Sequence, residues 1–269
     1  MDHVIACAAA LGIGLSLGLI GAGGSILTIP VFVYILKKDP LSSSVYAMFV
    51  VGITAITGSL RAIVLKLIDY PAAVMFGLPS VLGVTFARRM IYPSLPEQLF
   101  LSDHLHVSKD LLFMIALSAL MLVAAVKMLR PFATRESDSP ASQPLLSLLG
   151  LRGFIVGIVT GLLGMGGGFL VVPALYLWAA VPLKRAVNTA LVIIAGNCFF
   201  AFLNSYDSAC LDWELLVKFC LGAIAGILIG QNLSARIQTS FLKKIFAGIV
   251  FAVAIYIACN QLIKCWAGA

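Results

Sequence analysis

The chain alternates between long apolar runs and short polar stretches. Most of the runs approach or exceed the ~20 residues that a helix needs to cross a bilayer. The runs cover residues 4–20, 26–36, 45–67, 72–91, 111–129, 148–163, 169–180, 187–203, 215–233 and 245–263. The runs at 26–36 and 169–180 are too short to span as ordinary straight helices. From the other runs we predict an all-α polytopic membrane protein with about eight transmembrane helices.

Two polar stretches are longer than a tight turn. Residues 93–110 are predicted to form a polar loop. Residues 130–144 are rich in Ser, Pro and charge (Arg135-Glu136-Ser137-Asp138-Ser139-Pro140), a composition typical of a linker. We therefore predict a first membrane repeat at 1–130, a polar linker at 131–147 and a second membrane repeat at 148–269.

Dense glycines precede the two short runs. The sequence reads Gly-Ala-Gly-Gly-Ser at 21–25 and Gly-Met-Gly-Gly-Gly at 164–168. Glycine at this density breaks a helix, because it brings no side-chain contacts and loses the most backbone entropy on folding. Inside a membrane, the freed backbone groups must face protein, water or a ligand. Each half is thus predicted to contain a helix that breaks at glycine and restarts as a short helix.

The two halves share a sequence repeat. Adding 143 to Gly14, Gly18, Gly21, Gly23, Gly24, Leu27 and Pro30 gives Gly157, Gly161, Gly164, Gly166, Gly167, Leu170 and Pro173. Further along, an offset of 142 pairs Pro40, Leu41 and Val45 with Pro182, Leu183 and Val187. Duplicated halves with glycine-interrupted segments at matching places indicate a secondary transporter whose site lies at the repeat interface.

Composition supports a membrane protein and changes the meaning of the charge. Hydrophobic residues make up 61% of the chain, charged residues 11%, and mean hydropathy is +1.08. A soluble domain carries roughly 25% charged residues. The net charge of +7 comes from basic residues between apolar runs, which indicates membrane topology rather than nucleic-acid binding. The run at 4–20 is expected to remain as a helix rather than be removed as a signal peptide, because its counterpart recurs internally.

The sequence predicts no metal site, cofactor or disulfide framework. The six cysteines contain no C-x-x-C pair, and most fall in apolar runs, where a free thiol behaves as a small hydrophobe. His104 and His106 form an H-x-H pattern in the predicted loop at 93–110. A solvated loop explains these two histidines better than a metal site does.

The glycine breaks are candidate anion sites. A helix that restarts after a break presents unpaired backbone N–H groups and the positive end of its dipole. We predict that both restarts point at one shared cavity. The candidate substrate-binding residues there are Gly21, Gly23, Gly24, Ser25, Gly164, Gly166, Gly167 and Gly168. The alternative is close helix packing through small residues, which explains Gly14 with Gly18 and the series Gly222, Gly226 and Gly230 well.

Polar side chains inside two longer runs extend the candidate site. Thr54, Thr57 and Arg61 fall on one face of a helix, and Asn197 and Asn204 form a similar line in the second half. A charge in the bilayer usually faces a cavity or a partner, so Thr54, Thr57, Arg61 and Asn197 are predicted to contact substrate. Snorkelling of Arg61 towards the interface is the alternative.

The acidic residues exclude several mechanisms. All eleven fall in or beside predicted loops, whereas proton- and sodium-coupled carriers commonly place a carboxylate within the membrane. No Walker A motif is present, so ATP is not the chain's own energy source. We predict export powered by the substrate gradient and the membrane potential, and leave open coupling through protonation of the substrate.

Several motifs together resemble the TauE/SafE sulfite-exporter family. They are the paired glycine segments followed six residues later by Pro30 and Pro173, the Asn-Thr-Ala-Leu stretch at 188–191, and the Ala-Arg pairs at 87–88 and 235–236. The resemblance implies a permease for sulfite, sulfonates or related small sulfur anions. It adds Asn188 and Thr189 as candidate substrate contacts. The first half departs from this pattern, because Tyr46-Ala47 stands at that place.

Other readings remain open at this stage. The chain could carry another small anion or a neutral solute, or be a structural membrane subunit without transport activity. A membrane enzyme is disfavoured, because no acid or histidine for a catalytic set lies within the apolar runs. We expect a multi-pass protein of the cell membrane, with a bacterial inner membrane as the setting, and leave open a monomer or a homodimer.

Two topologies are compatible with the sequence. If the halves run parallel, with four crossings each, basic clusters at 37–38, 88–89, 184–185 and 236–244 fall on one, cytoplasmic side. If the halves are inverted, the glycine segments count differently, for example as short re-entrant pairs.

Overall fold

The computed structural model describes residues 2–21, 23–94, 98–102, 105–129, 146–164, 167–179, 181–205, 211–234, 248 and 250–260. Its helices are α1 Asp2–Ile20, α2 Gly23–Pro30, α3 Pro40–Val64, α4 Tyr70–Phe86, α5 Lys109–Leu129, α6 Leu146–Leu163, α7 Gly168–Trp178, α8 Leu183–Leu203, α9 Trp213–Ser234 and α10 Val250–Asn260. A π-helical turn, Val31–Ile35, extends α2. Another, Ala87–Ile91, extends α4 into a last short turn, Tyr92–Ser94.

The prediction of an all-α polytopic membrane protein is confirmed. Four described helices are long and apolar enough to cross a membrane: Pro40–Val64, Tyr70–Ser94, Lys184–Leu203 and Trp213–Ser234. Shorter apolar helices accompany them, at Ala6–Ile20, Gly24–Ile35, Phe113–Val123, Leu148–Leu163 and Val250–Asn260. Short helices start at the glycine segments, at Gly23 and at Gly168, as predicted. The predicted linker at 131–147 lies outside the described residues, except for the start of α6.

The polar loop predicted at 93–110 contains a β-hairpin. Strand β1 Gln98–Ser102 pairs antiparallel with β2 Leu105–Ser108. The prediction of a polar loop did not include these two strands. Residues 98–102 carry an apolar Leu-Phe-Leu core, and residues 105–108 alternate apolar and polar side chains, a pattern typical of a short strand. His104 lies outside the described residues.

Helices α1 and α9 pack side by side along a seam of small residues. A Cβ added to Gly14 would overlap the carbonyl oxygen of Ala223, and one added to Gly18 would lie 2.5 Å from the carbonyl oxygen of Ile227. Residue numbers rise together along this contact, so α1 and α9 run parallel. Small residues allow the two backbones to approach this closely.

Helices α4 and α6 make the corresponding contact. A Cβ on Gly153 would lie 2.5 Å from the carbonyl oxygen of Phe76, and one on Gly157 would overlap that of Ser80. These two helices also run parallel. The pair Gly157 and Ser80 differs from the pair Gly14 and Ala223 by 143 residues at each member, with the halves exchanged.

The central helices α3 and α8 run in opposite directions. Gly52 approaches the Cβ of Cys198, whereas Gly58, further along α3, approaches Leu191, which is earlier in α8. One residue number therefore falls as the other rises. Helix α3 is in turn parallel to α9, because Tyr46 meets Asp212 at one end and Gly58 accepts a hydrogen bond from Gln231 further along.

The remaining long contact joins α4 and α8. Asp69 meets Thr189 at the start of both helices, and Gly77 faces Ile193 one to two turns later. Helices α4 and α8 therefore run parallel. It follows that α1, α3 and α9 point one way and α4, α6 and α8 the other. Helices with the same place in the two halves of the sequence thus have opposite directions.

These directions assign the described basic residues to two faces. Lys37, Lys38, Arg88 and Arg89 lie at the end of the molecule where α3 begins and α4 ends, which we call the Arg89 face. The opposite Lys66 face holds Arg61, Lys66, Lys184 and Arg185, because α3 ends and α8 begins there. The parallel scheme, which placed 184–185 on the same side as 37–38 and 88–89, is therefore wrong.

Candidate functional site

The second break, residues 164–168, turns the chain from α6 into α7. Gly164 has φ of +64° and Gly167 has φ of +81°, so both occupy the left-handed region that favours glycine. Gly167 is the N-cap of α7, and its carbonyl accepts the first hydrogen bonds of that helix. Gly166 lies outside the described residues.

The space beside Gly164 is occupied by polar groups of the first half. A Cβ on Gly164 would overlap the hydroxyl oxygen of Ser44 and would lie 2.6 Å from a terminal nitrogen of Arg88. Gly167 lies against the side chain of Thr160, which is buried and donates to the carbonyl of Gly157. The bare face of Gly164 therefore admits a hydroxyl and a guanidinium from the other half of the chain.

Arg88 is the buried cation of this region. Its side chain is 3% exposed, its Nη2 donates to Ser44 Oγ at 2.6 Å, and the guanidinium lies 4.9 Å from the ring centre of Tyr92. Its Nε is buried with no hydrogen-bond partner. Within the described ranges, no carboxylate lies within ion-pair distance of Arg88. The ion pair found in those ranges joins Lys218 and Glu214 on α9.

Sequence reasoning assigned Arg88 to the end of a span and did not include it in the site. The repeat offers the signal that could have found it. Adding 143 to Arg88 gives Gln231, which lies within α9, so position 88 belongs to the transmembrane part of the repeat. The π-helical turn at 87–91 carries Arg88 inward, and such turns are frequent at functional sites.

The first break, residues 21–25, also opens with a glycine of positive φ, but its neighbour is apolar. Gly21 has φ of +73°, and its bare face packs against a methyl group of Val187. A Cβ on Gly24 would overlap the carbonyl oxygen of Ile13. Ser25 is fully buried in the first turn of α2. Gly23 is the first residue of α2.

The two breaks do not face one another. Gly164 contacts Ser44, near the start of α3 and the Arg89 face. Gly21 contacts Val187, near the start of α8 and the Lys66 face. Val187 lies one turn before Leu191, and Leu191 lies beside Gly58 of α3. The helix between Ser44 and Gly58 alone rises about 21 Å. The expected cavity shared by both helix starts is thus not formed in this conformation, because the inverted halves carry the breaks to opposite ends.

The polar line of α3 is engaged within the protein. The hydroxyls of Thr54 and Thr57 donate to the carbonyls of Val50 and Ile53, at 2.6 and 3.0 Å. Arg61 donates to Asn232 Oδ1 at 2.6 Å, close to the Lys66 face. The hydrogen bonds described for these three side chains go to α3 and α9 and not to either break.

Asn188 and Thr189 differ in their surroundings. Asn188 donates to the carbonyl of Lys184, one turn earlier in its own helix, at 2.8 Å. The buried Thr189 hydroxyl accepts a hydrogen bond from the backbone N–H of Asp69 at 2.9 Å. In the first half, Tyr46 Oη accepts the equivalent bond from the N–H of Asp212 at 2.6 Å.

These paired bonds correct the alignment of the halves. Thr189 and Tyr46 differ by 143, and so do Asp212 and Asp69. The offset of 142 used beyond Pro40 therefore pairs the wrong residues, since it places Tyr46 opposite Asn188. The identical prolines at 40 and 182 occupy different positions, the first residue of α3 and the N-cap of α8.

Asn197 lies at mid-height between α4 and α8. It is fully buried, its Nδ2 donates to Ser80 Oγ at 2.9 Å, and its Oδ1 has no hydrogen-bond partner. The described acids Asp39, Asp69 and Asp212 instead cap the starts of α3, α4 and α9, where each side chain accepts from a backbone N–H. The polar groups described in the interior are thus hydroxyls, amides and one guanidinium.

A cavity of about 470 Å³ opens between α1, α2 and α10. Its walls are apolar apart from Ser16, Tyr34 and Tyr256, and Tyr34 and Tyr256 contact one another edge to face. Neither Arg88 nor Asn197 lines it. This cavity therefore lacks the charged and polar groups that would hold a small anion.

Comparison with known proteins places the chain in a family. Residues 6–257 match the family model described as sulfite exporter TauE/SafE. A probable membrane transporter protein of Xylella fastidiosa is 28% identical over 91% of this chain and 90% of its own length. The probable membrane transporter protein YunE of Bacillus subtilis is 26% identical over 97% of this chain and 98% of its own length. No solved structure matches significantly. The chain therefore belongs to the TauE/SafE sulfite exporter family of multi-pass membrane proteins.

Proposed function

We propose that this protein is a secondary permease that exports sulfite, a sulfonate or a related small sulfur oxyanion. Membership of a family of membrane transporters supports the class of function. The observation that carries the choice of an anion is the composition of the described interior. Helix α7 starts at a break among buried hydroxyl and cationic groups, while the described acids cap helix starts near the two faces.

The two breaks are proposed as successive stations for the substrate. Each break lies against the other half of the chain, since Gly21 contacts Val187 and Gly164 contacts Ser44. Each therefore lies at the interface of the proposed repeats. Because they are near opposite faces, we expect an anion to engage one break at a time. Movement of one half against the other would expose each break to its own side, as in other inverted-repeat transporters.

The proposed driving force is the substrate gradient together with the membrane potential. An inside-negative potential favours exit of an anion by about 2.3 kcal/mol per charge for each 100 mV. The carboxylates of the described helices lie in their first turns, and Glu214 there pairs with Lys218, so none of them is placed at mid-span to bind a coupling cation. We therefore propose uniport of the anion without sodium.

Efflux of ³⁵S-labelled sulfite from proteoliposomes tests this function. The protein should release sulfite at a rate that rises with an inside-negative potential set by potassium and valinomycin, and removal of sodium should change nothing. Liposomes without protein are the control. Efflux that collapses when only the pH gradient is removed, at clamped voltage, would contradict uniport.

The same vesicles separate the alternatives. Unlabelled sulfate, phosphate, chloride and glycerol are added in turn as competitors of sulfite. Flux of another anion or of glycerol without flux of sulfite or a sulfonate would indicate a different substrate class. Absence of any flux from correctly inserted protein would support a structural subunit instead.

A further inference from the structure

The guanidinium of Arg88 is enclosed in the transmembrane part of the protein with few partners. It is 3% exposed, and it has one hydrogen bond, to Ser44, and one aromatic contact, to Tyr92. An Arg within the membrane is costly and usually marks a substrate pathway or a paired site. In the described part of the chain no carboxylate pairs with it.

One donor of Arg88 remains unsatisfied. Its Nε is buried without a partner, and an unsatisfied buried donor destabilises the folded state. Nε and Nη2 share one edge of the guanidinium, which is the edge that grips oxyanions with two parallel hydrogen bonds. Ser44 accepts from Nη2, which leaves the hydroxyl proton of Ser44 available to donate.

The unsatisfied edge lies beside the start of a helix. Gly164, whose bare face touches Arg88 and Ser44, opens the second break, and α7 begins four residues later. The N-terminus of an 11-residue helix contributes free N–H groups and a positive partial charge. A guanidinium and a hydroxyl from the first half thus meet the break that leads into this helix of the second half.

Among the residues that the structure describes, the first break has no such charge beside its opening glycine. The residue that corresponds to Arg88 by the offset of 143 is Gln231, whose Nε2 donates to the carbonyl of Gly58. The residue that corresponds to Ser44 is Val187. If Arg88 served only to pack the helices, a neutral amide such as Gln231 would suffice at both breaks. The cation at the second break therefore indicates a further role for Arg88.

We propose that Arg88 is the charge-selecting residue for the transported anion, which it holds through Nε at the second break together with Ser44 and the start of α7. This inference rests on the proposed function for the location of the site, and not on the identity of the anion. The ligand class is a small oxyanion with at least two oxygens on one face. Near-complete burial of Arg88 identifies the described conformation as closed over this site.

Substitution of Arg88 tests the proposal. Arg88→Gln removes the charge at similar length, Arg88→Lys keeps the charge without the fork, and Arg89→Gln is the matched control, because Arg89 is the exposed neighbour on the same turn. Sodium sulfite, sulfate, phosphate and chloride are tested by thermal shift in nanodiscs and by efflux. Arg88→Gln should raise the KM for the anion about tenfold or more, Arg88→Lys should raise it less, and Arg89→Gln should match the wild type.

The outcomes separate this proposal from the proposed function. A folded Arg88→Gln protein with the wild-type KM would overturn the role of Arg88 and leave sulfite export standing. Flux of phosphate in place of sulfite, still dependent on Arg88, would overturn the sulfur substrate and support Arg88, whereas flux of chloride in place of both would contradict the oxyanion site. If Arg88→Gln does not fold, Arg88→Lys and Ser44→Ala decide, since an unchanged KM in both would contradict the proposal and a raised KM would support it.

Discussion

The first and second breaks open with a glycine in the same left-handed conformation and have different surroundings. Gly21 and Gly164 both adopt positive φ, at +73° and +64°, and both lie against the opposite half of the chain. At the first break the neighbour is a methyl group of Val187. At the second it is the hydroxyl of Ser44 and the guanidinium of Arg88.

This difference separates what the proposed repeat requires from what one half adds. A glycine of positive φ opens both breaks, so it serves the turn from a long helix into a short one. Among the described residues, the charged contact occurs at the second break. Anion recognition, as proposed here, therefore belongs to the side chains that meet the break, and the glycines act by allowing the approach.

The largest effect is expected from alanine at Gly21 and Gly164, the positive-φ glycines that open the two breaks. Left-handed backbone costs an L-residue about 1–2 kcal/mol, and overlap with packed neighbours about 1–3 kcal/mol more. Gly164→Ala should abolish sulfite efflux and lower the melting temperature. Gly21→Ala should destabilise the protein to a similar degree. Gly12→Ala is the control, because no heavy atom lies within 4 Å of its added Cβ.

Second-site changes sharpen this contrast between the breaks. Val187→Ala should partly restore Gly21→Ala, because the nearest remaining atoms of residue 187 lie 3.1 Å from the new Cβ. Ser44→Ala should not restore Gly164→Ala, because Arg88 Nη2 stays 2.6 Å away. Melting temperature and efflux are measured for each double variant. Equal rescue at both sites would show that the charged contact is not what distinguishes them.

A smaller and equal effect is expected at the two helix seams. Gly14→Ala and Gly157→Ala should each destabilise the protein by about 1–3 kcal/mol, because each Cβ would overlap a backbone carbonyl that cannot move independently. Thermal unfolding in detergent measures both. A silent change at one seam with a large loss at the other would contradict the equivalence of the α1–α9 and α4–α6 contacts.

The sequence predicted the helices and the breaks because those depend on local properties. Apolar run length and glycine density were enough to predict the short helices near 26–36 and 169–180. The hairpin at 98–108 was missed, because short strands outside the membrane carry a weak periodic signal. The direction of the halves was not predictable, because it depends on contacts such as Gly52 with Cys198 that join residues far apart in the chain.

The sequence predicted the glycines of the candidate site but did not identify Arg88 as its charged residue. Arg88 is followed by Arg89, and a basic pair at the end of an apolar run is typical of a membrane interface. Only the packing of α4 against α6 and α3 shows that one member of the pair turns inward. Conversely, Thr54 and Arg61 looked available in the sequence, and the structure shows their donors bonded to Val50 and Asn232.

A further test compares the hydrogen bond accepted by Tyr46 with the one accepted by Thr189. Tyr46→Phe and Thr189→Val each remove one acceptor for a backbone N–H, at Asp212 and Asp69, and should each cost about 1 kcal/mol. If Thr189 is structural, both variants keep the wild-type KM for sulfite. If Thr189 also contacts substrate, as its sequence position suggested, only Thr189→Val raises the KM.

The smallest effect is expected at Arg61, the cation of α3 near the Lys66 face. Its side chain is half-exposed and donates to Asn232, so Arg61→Gln should cost about 0.5–1 kcal/mol and leave the KM for sulfite unchanged. Asn232→Ala should cost a similar amount, and the double variant should lose less than the sum, since both changes remove the same bond. A raised KM for sulfite in Arg61→Gln, with a wild-type KM in Asn232→Ala, would show that Arg61 supplies a cation to the anion at the first break. The two breaks would then differ in how far the cation lies from the opening glycine, and not in whether a cation is present.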